Sequence, residues 1–193
     1  MRFMKTGLFF GSFNPIHNGH LMIAGYMTEF TDLKEVWFVV SPHNPFKEKP
    51  TLLAGHHRLA MVRLVAEEDP RFRVSNIEFS MPQPSYTIDT LAWLGEKHPG
   101  REFVLIAGAD ILPSFHKWKN FDVLLEHYRV YLYPRPGTEA GRFDNHPSIR
   151  RVEAPLLTIS SSFIRESIRS GKDMRYFLPE KVWKYIGEMS FYK

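Results

Sequence analysis

Cysteine is absent from the sequence, which excludes disulfides, thiolate zinc sites and cysteine nucleophiles. This composition suits a reducing compartment, and we predict a cytoplasmic protein. Long apolar runs are absent as well. The first apolar stretch is interrupted by Gly7 and Gly11 and is too short for a secretory leader or a membrane span. We therefore predict a soluble protein without a membrane partner.

Two common nucleotide-binding patterns are also missing. The sequence contains neither G-x-G-x-x-G nor G-x-x-x-x-G-K-[ST], so a dinucleotide-dependent dehydrogenase and a P-loop kinase have no support. Basic residues form no run of five or six and do not alternate regularly with aromatic residues, as they often do in nucleic-acid-binding proteins. We predict no nucleic-acid partner.

The composition is that of a globular protein that attracts anions. Hydrophobic residues make up 44% of the 193 residues, which suits one compact domain over residues 1–193. Lysine and arginine total 25 against 21 acidic residues, and the resulting net charge of +4 favours phosphorylated ligands.

Short apolar segments alternate with helical patterns along the chain. Residues 36–40 and 103–107 are apolar at every position, which is typical of parallel strands covered by helices on both faces. Apolar residues at three-to-four spacing predict the crossover helices. The sequence thus predicts an α/β fold, a parallel sheet with helices on both faces. The predicted strands are 7–10, 35–40, 71–75, 102–107, 129–133 and, more weakly, 149–153; the predicted helices are 20–30, 56–67, 87–97, 161–169 and 180–187; residues 134–148 are predicted to form a surface loop.

The first predicted strand leads into a helix through G-S-F-N-P-I-H-N-G-H, residues 11–20. Gly11 allows the backbone to approach a ligand closely, and free N–H groups at the helix start attract phosphate. One loop histidine is usually only solvated, but His17 and His20 together can donate hydrogen bonds to a polyphosphate. Their protonation stays open, because a helix N-terminus favours the neutral ring and phosphate favours the cation.

A serine run, Ser160 to Ser162, precedes a second helical pattern that contains Arg165. A capping serine stabilises a helix by about 1 kcal/mol, which explains the serines but not the arginine. If the helix begins at Ser161 or Ser162, Arg165 falls in its first turn, where a cation costs about 0.3 to 1 kcal/mol. A phosphate bound by the helix end and the guanidinium would compensate, so we predict a second anion-binding element here.

These two elements resemble the H-x-G-H and I-S-S-[ST]-x-x-R signatures of the nucleotidyltransferase superfamily. That superfamily has a Rossmann-like fold in common with class I aminoacyl-tRNA synthetases, but the chain is too short for a synthetase and lacks a K-M-S-K-S-like segment. The resemblance covers essentially the whole chain. It implies catalytic roles for His17, His20 and Arg165. It also implies ATP contacts for Gly11, Ser12, Phe13, Ser160, Ser161 and Ser162.

Three further segments are similar to bacterial nicotinate-nucleotide adenylyltransferases: S-P-H-N-P-F-K at 41–47, P-S-Y-T at 84–87, and G-A-D at 108–110, followed by Trp118. The resemblance implies that Lys47 is catalytic and that Gly108 and Asp110 contact ATP. It implies mononucleotide contacts for Asn44, Tyr86, Thr87 and Trp118. Simpler roles stay open, with Trp118 as core, Thr87 as an N-cap and Lys47 as a solvated loop side chain.

The resemblance implies adenylyl transfer from ATP to nicotinate mononucleotide, with pyrophosphate released, as in NAD biosynthesis. The mononucleotide phosphate is already an anion, so its attack on the α-phosphorus needs positioning and charge cancellation rather than a general base. Magnesium is expected to come with the triphosphate, held by phosphate oxygens and water, and the sequence shows no dedicated metal site. It carries no signal for an oligomeric state.

Other acceptors and a different class of function stay open. Pantetheine-phosphate adenylyltransferases usually have T-x-G-H where this chain has His17-Asn18-Gly19-His20, which favours nicotinate. Nicotinamide-nucleotide adenylyltransferases and cytidylyltransferases share the H-x-G-H loop and differ mainly around the base pocket. A catalytically silent nucleotide sensor would bind ATP without turning it over.

Overall fold

The computed structural model describes residues 3–42, 52–138, 141 and 143–193. The strands in chain order are β1 (Met4–Gly11), β2 (Glu35–Val40), β3 (Phe72–Ser75), β4 (Arg101–Gly108), β5 (Arg129–Tyr133) and β6 (Ile149–Arg151). The helices are α1 (Asn18–Phe30), α2 (Gly55–Ala66), α3 (Thr87–Lys97), α4 (Phe121–His127), α5 (Ser161–Arg169) and α6 (Glu180–Glu188). Short 3₁₀ helices span Ile77–Ser80, Ala109–Lys117 and Arg175–Phe177.

All six strands are parallel and form one sheet in the order β3-β2-β1-β4-β5-β6. Strand β1 lies at the centre, where Gly7 is aligned with Val36 of β2 on one side and Val104 of β4 on the other. The chain order reverses between β1 and β4. Crevices at such a reversal, beyond the carboxyl ends of the strands, are where doubly wound α/β proteins bind ligands. The predicted fold class is confirmed.

Two apolar cores cover the two faces of the sheet. Neighbouring residues of a strand point to opposite faces, so Leu8 belongs to one core and Phe9 to the other. Helices α1, α2, α5 and α6 pack over the Phe9 side, and α3 and α4 cover the Leu8 side. This two-sided burial explains why the central strands are apolar at consecutive positions.

The structure adds helical segments that the sequence pattern did not predict. The 3₁₀ helix Ala109–Lys117 contains Pro113, and α4 has only seven residues, so neither has a long helical periodicity. Both are held by burial of Leu112, Phe115 and Leu124 against the sheet. The described part of 134–148 contains no helix or strand, as predicted, but Phe143 is buried against Phe115, so this loop also contributes to the core.

Within the part of the chain that the structure describes, no helix has the length and apolar character needed to cross a lipid bilayer.

Candidate active site

A cavity of about 480 Å³ opens beyond the carboxyl ends of β1, β4 and β5, at the point where the strand order reverses. The starts of α1, α3 and α5 border it. Every predicted site residue within the described part of the chain lines this cavity: Gly11, Ser12, Phe13, His17, His20, Tyr86, Thr87, Gly108, Asp110, Trp118, Ser160, Ser161, Ser162 and Arg165. Asn44 and Lys47 lie outside the described residues.

Phe13 shapes the loop between β1 and α1. Its side chain is only 2% exposed, and its ring packs against Phe38 and His20. A Cβ atom on Gly11 would lie 2.9 Å from the Phe13 ring, so only glycine allows the ring to fold back over the end of β1. Phe13 therefore supports the loop from beneath and presents little of its side chain to the cavity.

The two signature histidines form a stacked pair at the start of α1. Their ring centroids lie 3.7 Å apart, and the backbone N–H of His17 donates to Nδ1 of His20 at 3.2 Å. Because Nδ1 of His20 accepts this bond, the proton of the neutral ring is on Nε2. A Cβ on Gly19 would lie 3.0 Å from Nδ1 of His17, which explains the glycine between the histidines.

Both histidines are neutral at neutral pH. Burial lowers the pKa of His17 to about 3, and the positive charge of Arg135 contributes. Burial also lowers the pKa of His20 well below its usual value, with further contributions from His17 and Arg135. Among the groups of the protein itself, desolvation is thus the largest effect on the pKa of both histidines. Nδ1 of His17 is buried and has no hydrogen-bond partner among the described residues.

Arg135 is a site residue that the sequence analysis missed. It follows β5, lies 5.4 Å from the Tyr133 ring centroid, and places Nε 3.6 Å from Oδ1 of Asp110. That distance is too long for a hydrogen bond, and the buried Nε has no such partner among the described residues. The sequence could have indicated Arg135, because this residue follows a buried strand by two positions. It therefore lies beyond the carboxyl ends of the parallel strands, where the other predicted site residues also lie.

Gly108, the last residue of β4, is required by the positions of Asp110 and Arg135. A Cβ at this position would collide with the Asp110 carboxylate and lie 3.0 Å from Cγ of Arg135. The glycine therefore lets Asp110 fold back toward the end of β4 and lets Arg135 cross beside it. This places a carboxylate and a guanidinium in the cavity lining just after β4 and β5.

Helix α5 is tied directly to the loop after β1. Ser160 is its N-cap, and its Oγ accepts from Phe163 N–H at 3.2 Å. Ser161 Oγ donates to the Pro15 carbonyl at 2.9 Å, and Arg165 Nη1 donates to the Asn14 carbonyl at 2.8 Å. The two predicted anion-binding elements, about 150 residues apart in sequence, are neighbours in space.

The predicted placement of Arg165 in the first turn is wrong. Helix α5 begins at Ser161, so Arg165 is its fifth residue. Helical side chains lean toward the N-terminus, and Arg165 Nη2 accordingly reaches back to Ser162 Oγ at 3.2 Å. Its charge still lies at the helix start, and no ion pair with a carboxylate is found for it among the described residues.

The start of α3 borders the other end of the cavity. Tyr86 is the N-cap and Thr87 the first helical residue, so the simpler interpretation of Thr87 as the cap is wrong. The Thr87 amide therefore belongs to the first turn, where N–H groups have no partner within the helix. Trp118 is half-buried and packs against Phe115 with ring centroids 5.2 Å apart, while Lys117 and Lys119 also line the cavity.

The described lining of the cavity holds two carboxylates. Asp110 lies beside Arg135, and Oε1 of the buried Glu78 accepts from Thr90 Oγ1 at 2.9 Å. Across the described residues of the chain, no three histidine or acidic side chains are placed to hold a metal ion together.

Comparison with known proteins identifies relatives of the whole chain. A profile of the family described as cytidylyltransferase-like matches residues 8–167. A protein of Christiangramia forsetii named "Probable nicotinate-nucleotide adenylyltransferase" is 56% identical over 191 residues, covering 98% of each chain. One of the same name from Flavobacterium psychrophilum is 52% identical over 192 residues, covering 98% of this chain and all of the relative.

Solved structures share the fold at low identity. Nicotinic acid mononucleotide adenylyltransferase from Plasmodium falciparum, complexed with NaAD, superposes with a TM-score of 0.81 at 20% identity, over 98% of this chain and 97% of that one. The same enzyme complexed with APC gives a TM-score of 0.80 at 19% identity, with the same coverage.

Proposed function

Since the chain belongs to the cytidylyltransferase-like family and, within it, to the nicotinate-nucleotide adenylyltransferases, we propose that it transfers the adenylyl group of ATP to nicotinate mononucleotide. The products are deamido-NAD and pyrophosphate, and the reaction belongs to NAD biosynthesis. The names of the close relatives favour nicotinate mononucleotide over nicotinamide mononucleotide and phosphopantetheine as acceptor.

The observation that carries the proposal is that two helices begin at one cavity, which two buried polar atoms without hydrogen-bond partners in the described chain also line. Helices α1 and α5 both begin at the cavity, and the buried Nδ1 of His17 and Nε of Arg135 lack hydrogen-bond partners among the described residues. A buried polar group without a partner is costly unless a ligand completes it. A polyphosphate supplies the acceptors that the helix ends and the Arg135 guanidinium need.

In the reaction that we propose, a phosphate oxygen of the mononucleotide attacks the α-phosphorus of ATP. The new bond joins that oxygen to phosphorus, the bond between the α-phosphorus and the bridging oxygen breaks, and pyrophosphate leaves with the electron pair. No general base is required, because the attacking phosphate is already ionised. The catalytic work is in-line positioning and stabilisation of the charge on the phosphoryl oxygens.

The protein groups assigned to this work are mostly fixed donors. Neutral His20 presents Nε2–H, because its Nδ1 is occupied by the His17 backbone. Arg165 keeps its charge, since burial lowers the pKa of a guanidinium from a value far above neutrality. ATP also brings negative charge beside the histidines, which favours protonation and opposes the effect of Arg135. Lys47, outside the described residues, stays a predicted contributor.

Magnesium fits this scheme as a companion of the triphosphate. The described lining of the cavity has two carboxylates, Asp110 and Glu78, and no group of three histidine or acidic side chains among the described residues could hold the ion. We propose that phosphate oxygens and water hold it and that it offsets the charge of the triphosphate.

The proposed acceptor is tested by offering nicotinate mononucleotide, nicotinamide mononucleotide and phosphopantetheine separately and measuring pyrophosphate release from ATP. The Thr87 N–H and the Lys117 ammonium in the cavity lining favour a carboxylate, because neither can accept a hydrogen bond from the NH₂ of an amide. We expect kcat/KM for nicotinate mononucleotide to be higher by about a hundredfold or more.

Two outcomes would contradict the proposal in different ways. Comparable kcat/KM with either of the other acceptors would overturn the substrate and leave adenylyl transfer standing. ATP binding in a calorimeter without pyrophosphate release from any acceptor would instead identify a nucleotide sensor.

A further inference from the structure

Arg58 of α2 is buried at a junction of loops that border the cavity. Its side chain is 0% exposed, and in the described chain it forms no ion pair. Within the described residues, its hydrogen bonds go to backbone carbonyls. Nη1 donates to Ser12 and Ser41, each at 2.7 Å, Nη2 donates to Pro42 at 2.7 Å, and Nε donates to Leu53 at 2.9 Å.

The four carbonyls belong to three separate segments. Ser12 lies in the loop after β1, Ser41 and Pro42 follow β2, and Leu53 precedes α2. The planar guanidinium has five donors in a fixed fork, so it can hold all three segments at once. One buried side chain thus sets the distance between the histidine loop and the segments on either side of residues 43–51.

Asn14 makes a second connection between the same loops. It is 3% exposed, and its Oδ1 accepts from the Leu53 N–H at 3.3 Å and from the Tyr192 hydroxyl at 2.8 Å. Its backbone carbonyl accepts from Arg165. Asn14 therefore links the β1–α1 loop to the segment before α2, to α5 and to the chain after α6.

Tyr192, near the C-terminal end of the sequence, is the donor of the hydroxyl bond to Asn14. Its side chain is 9% exposed and its φ is 65°, a left-handed conformation that is uncommon for a residue with a side chain. Surrounding contacts must hold it there, since the conformation is intrinsically unfavourable. Burial raises the pKa of Tyr192, so the hydroxyl keeps the proton that it donates to Asn14.

We propose that Arg58, Asn14 and Tyr192 are positioning residues for the adenylyl transfer: they lock the β1–α1 loop against the loop after β2, so that His17, His20 and Arg165 face the same phosphates. This inference rests on the proposed function. None of the three needs to touch the substrate. They act by fixing the backbone of residues 12–17, where a small displacement moves the histidines away from the reacting phosphorus.

The test is Tyr192→Phe, which removes one hydroxyl and keeps the ring. The matched control is Tyr185→Phe on α6, because the Tyr185 hydroxyl also makes a 2.8 Å hydrogen bond, but to His57 Nδ1 rather than to a residue of the β1–α1 loop. For Tyr192→Phe we expect kcat to fall about tenfold with KM for ATP changed less than about threefold, since misplacement is felt mainly in the transition state. Tyr185→Phe should keep the wild-type kcat.

Hydrogen exchange provides a readout that needs no substrate. The backbone N–H groups of residues 12–14, 16 and 17 should exchange at least about fivefold faster in Tyr192→Phe than in Tyr185→Phe. Equal kcat values and equal exchange in the two variants would overturn the inference, as would a change in only one of the two readouts. If wild-type protein shows no turnover with any acceptor, the proposed function itself fails, and the exchange comparison then tests only whether Tyr192 holds the β1–α1 loop in place.

Discussion

At the scale of single residues, burial decides the chemistry of the two histidines. Both rings are neutral because desolvation and the charge of Arg135 disfavour the cation. A neutral ring still has one N–H to donate, and for His20 the backbone of His17 fixes it on Nε2. The role that we propose for His20 is therefore that of a preorganised hydrogen-bond donor rather than a permanent cation.

Replacement of His20 tests this role. His20→Ala should lower kcat by about a hundredfold or more, because a fixed donor to the transition-state charge is lost. His20→Gln should retain more activity than His20→Ala, since its neutral amide still carries N–H donors. Steady-state kinetics of both variants, with circular dichroism to check the fold, measures the effect.

His56→Ala is the control, because His56 is exposed on α2 and does not line the cavity. We expect wild-type turnover for this variant. Near-normal turnover of His20→Ala would remove His20 from the catalytic group, and equal losses in His20→Gln and His20→Ala would argue against a neutral donor.

At the scale of elements, the starts of α1 and α5 behave as one unit. Ser161 and Arg165 of α5 hold the carbonyls of Pro15 and Asn14 in the loop that leads into α1. The position of each helix end therefore depends on the other. The glycine of H-x-G-H has a local role in the same unit, because it leaves room for the His17 ring over the first turn of α1.

A pair of glycine substitutions in α1 separates helix stability from site geometry. Gly19→Ala places a Cβ 3.0 Å from His17 Nδ1 and must displace that ring, whereas a Cβ at Gly25 meets nothing within 4 Å. Gly25→Ala should raise the free energy of unfolding by about 0.5 to 1 kcal/mol with kcat unchanged. Gly19→Ala should lower kcat by about tenfold or more without a comparable gain in stability.

Urea unfolding and steady-state kinetics of the two variants provide the measurement. If Gly19→Ala matched Gly25→Ala in both quantities, the packing of His17 against the first turn would have no part in catalysis.

At the scale of the whole molecule, the strand order brings distant parts of the chain to one edge of the sheet. Strand β1 lies between β2 and β4, so the loops that follow these strands meet beyond their carboxyl ends. The fold buries His17 and partly buries His20, and it brings both within reach of the charge of Arg135, which follows β5. Global stability should consequently depend on the protonation of this buried pair.

Stability should fall in acid because of the histidines. Their pKa values are lower in the folded than in the unfolded protein, so their contribution is fully present above about pH 6.5 and is lost as the pH falls toward the folded value. Each such histidine adds a slope of up to about 1.4 kcal/mol per pH unit in this range. His17→Gln should therefore show a shallower loss of stability than the wild type between pH 5.5 and 4.

Urea unfolding at several pH values, without nucleotide, measures this slope. Titrating groups that do not interact with His17 are common to both proteins and cancel in the difference, whereas the pKa of His20 depends in part on His17. Identical slopes would mean that His17 is not held neutral by the fold.

Much of the fold and of the candidate site was readable from the sequence. The consecutive apolar residues of β2 and β4 predicted strands covered on both faces, because strand preference and side-chain alternation are local properties. The elements at 11–20 and 160–165 predicted two phosphate-binding helix starts, and the residues assigned to them within the described chain line one cavity. Their individual roles stay predictions, as do those of Asn44 and Lys47.

The tertiary structure alone decided the properties that depend on contacts between distant residues. The neutral state of His17 and His20 follows from burial and from Arg135, neither of which is visible in the H-x-G-H spacing. The carbonyls held by Arg58 come from segments that meet only when β1 and β2 are adjacent. A sequence pattern records local preference, whereas desolvation and long-range hydrogen bonds exist only after the chain has folded.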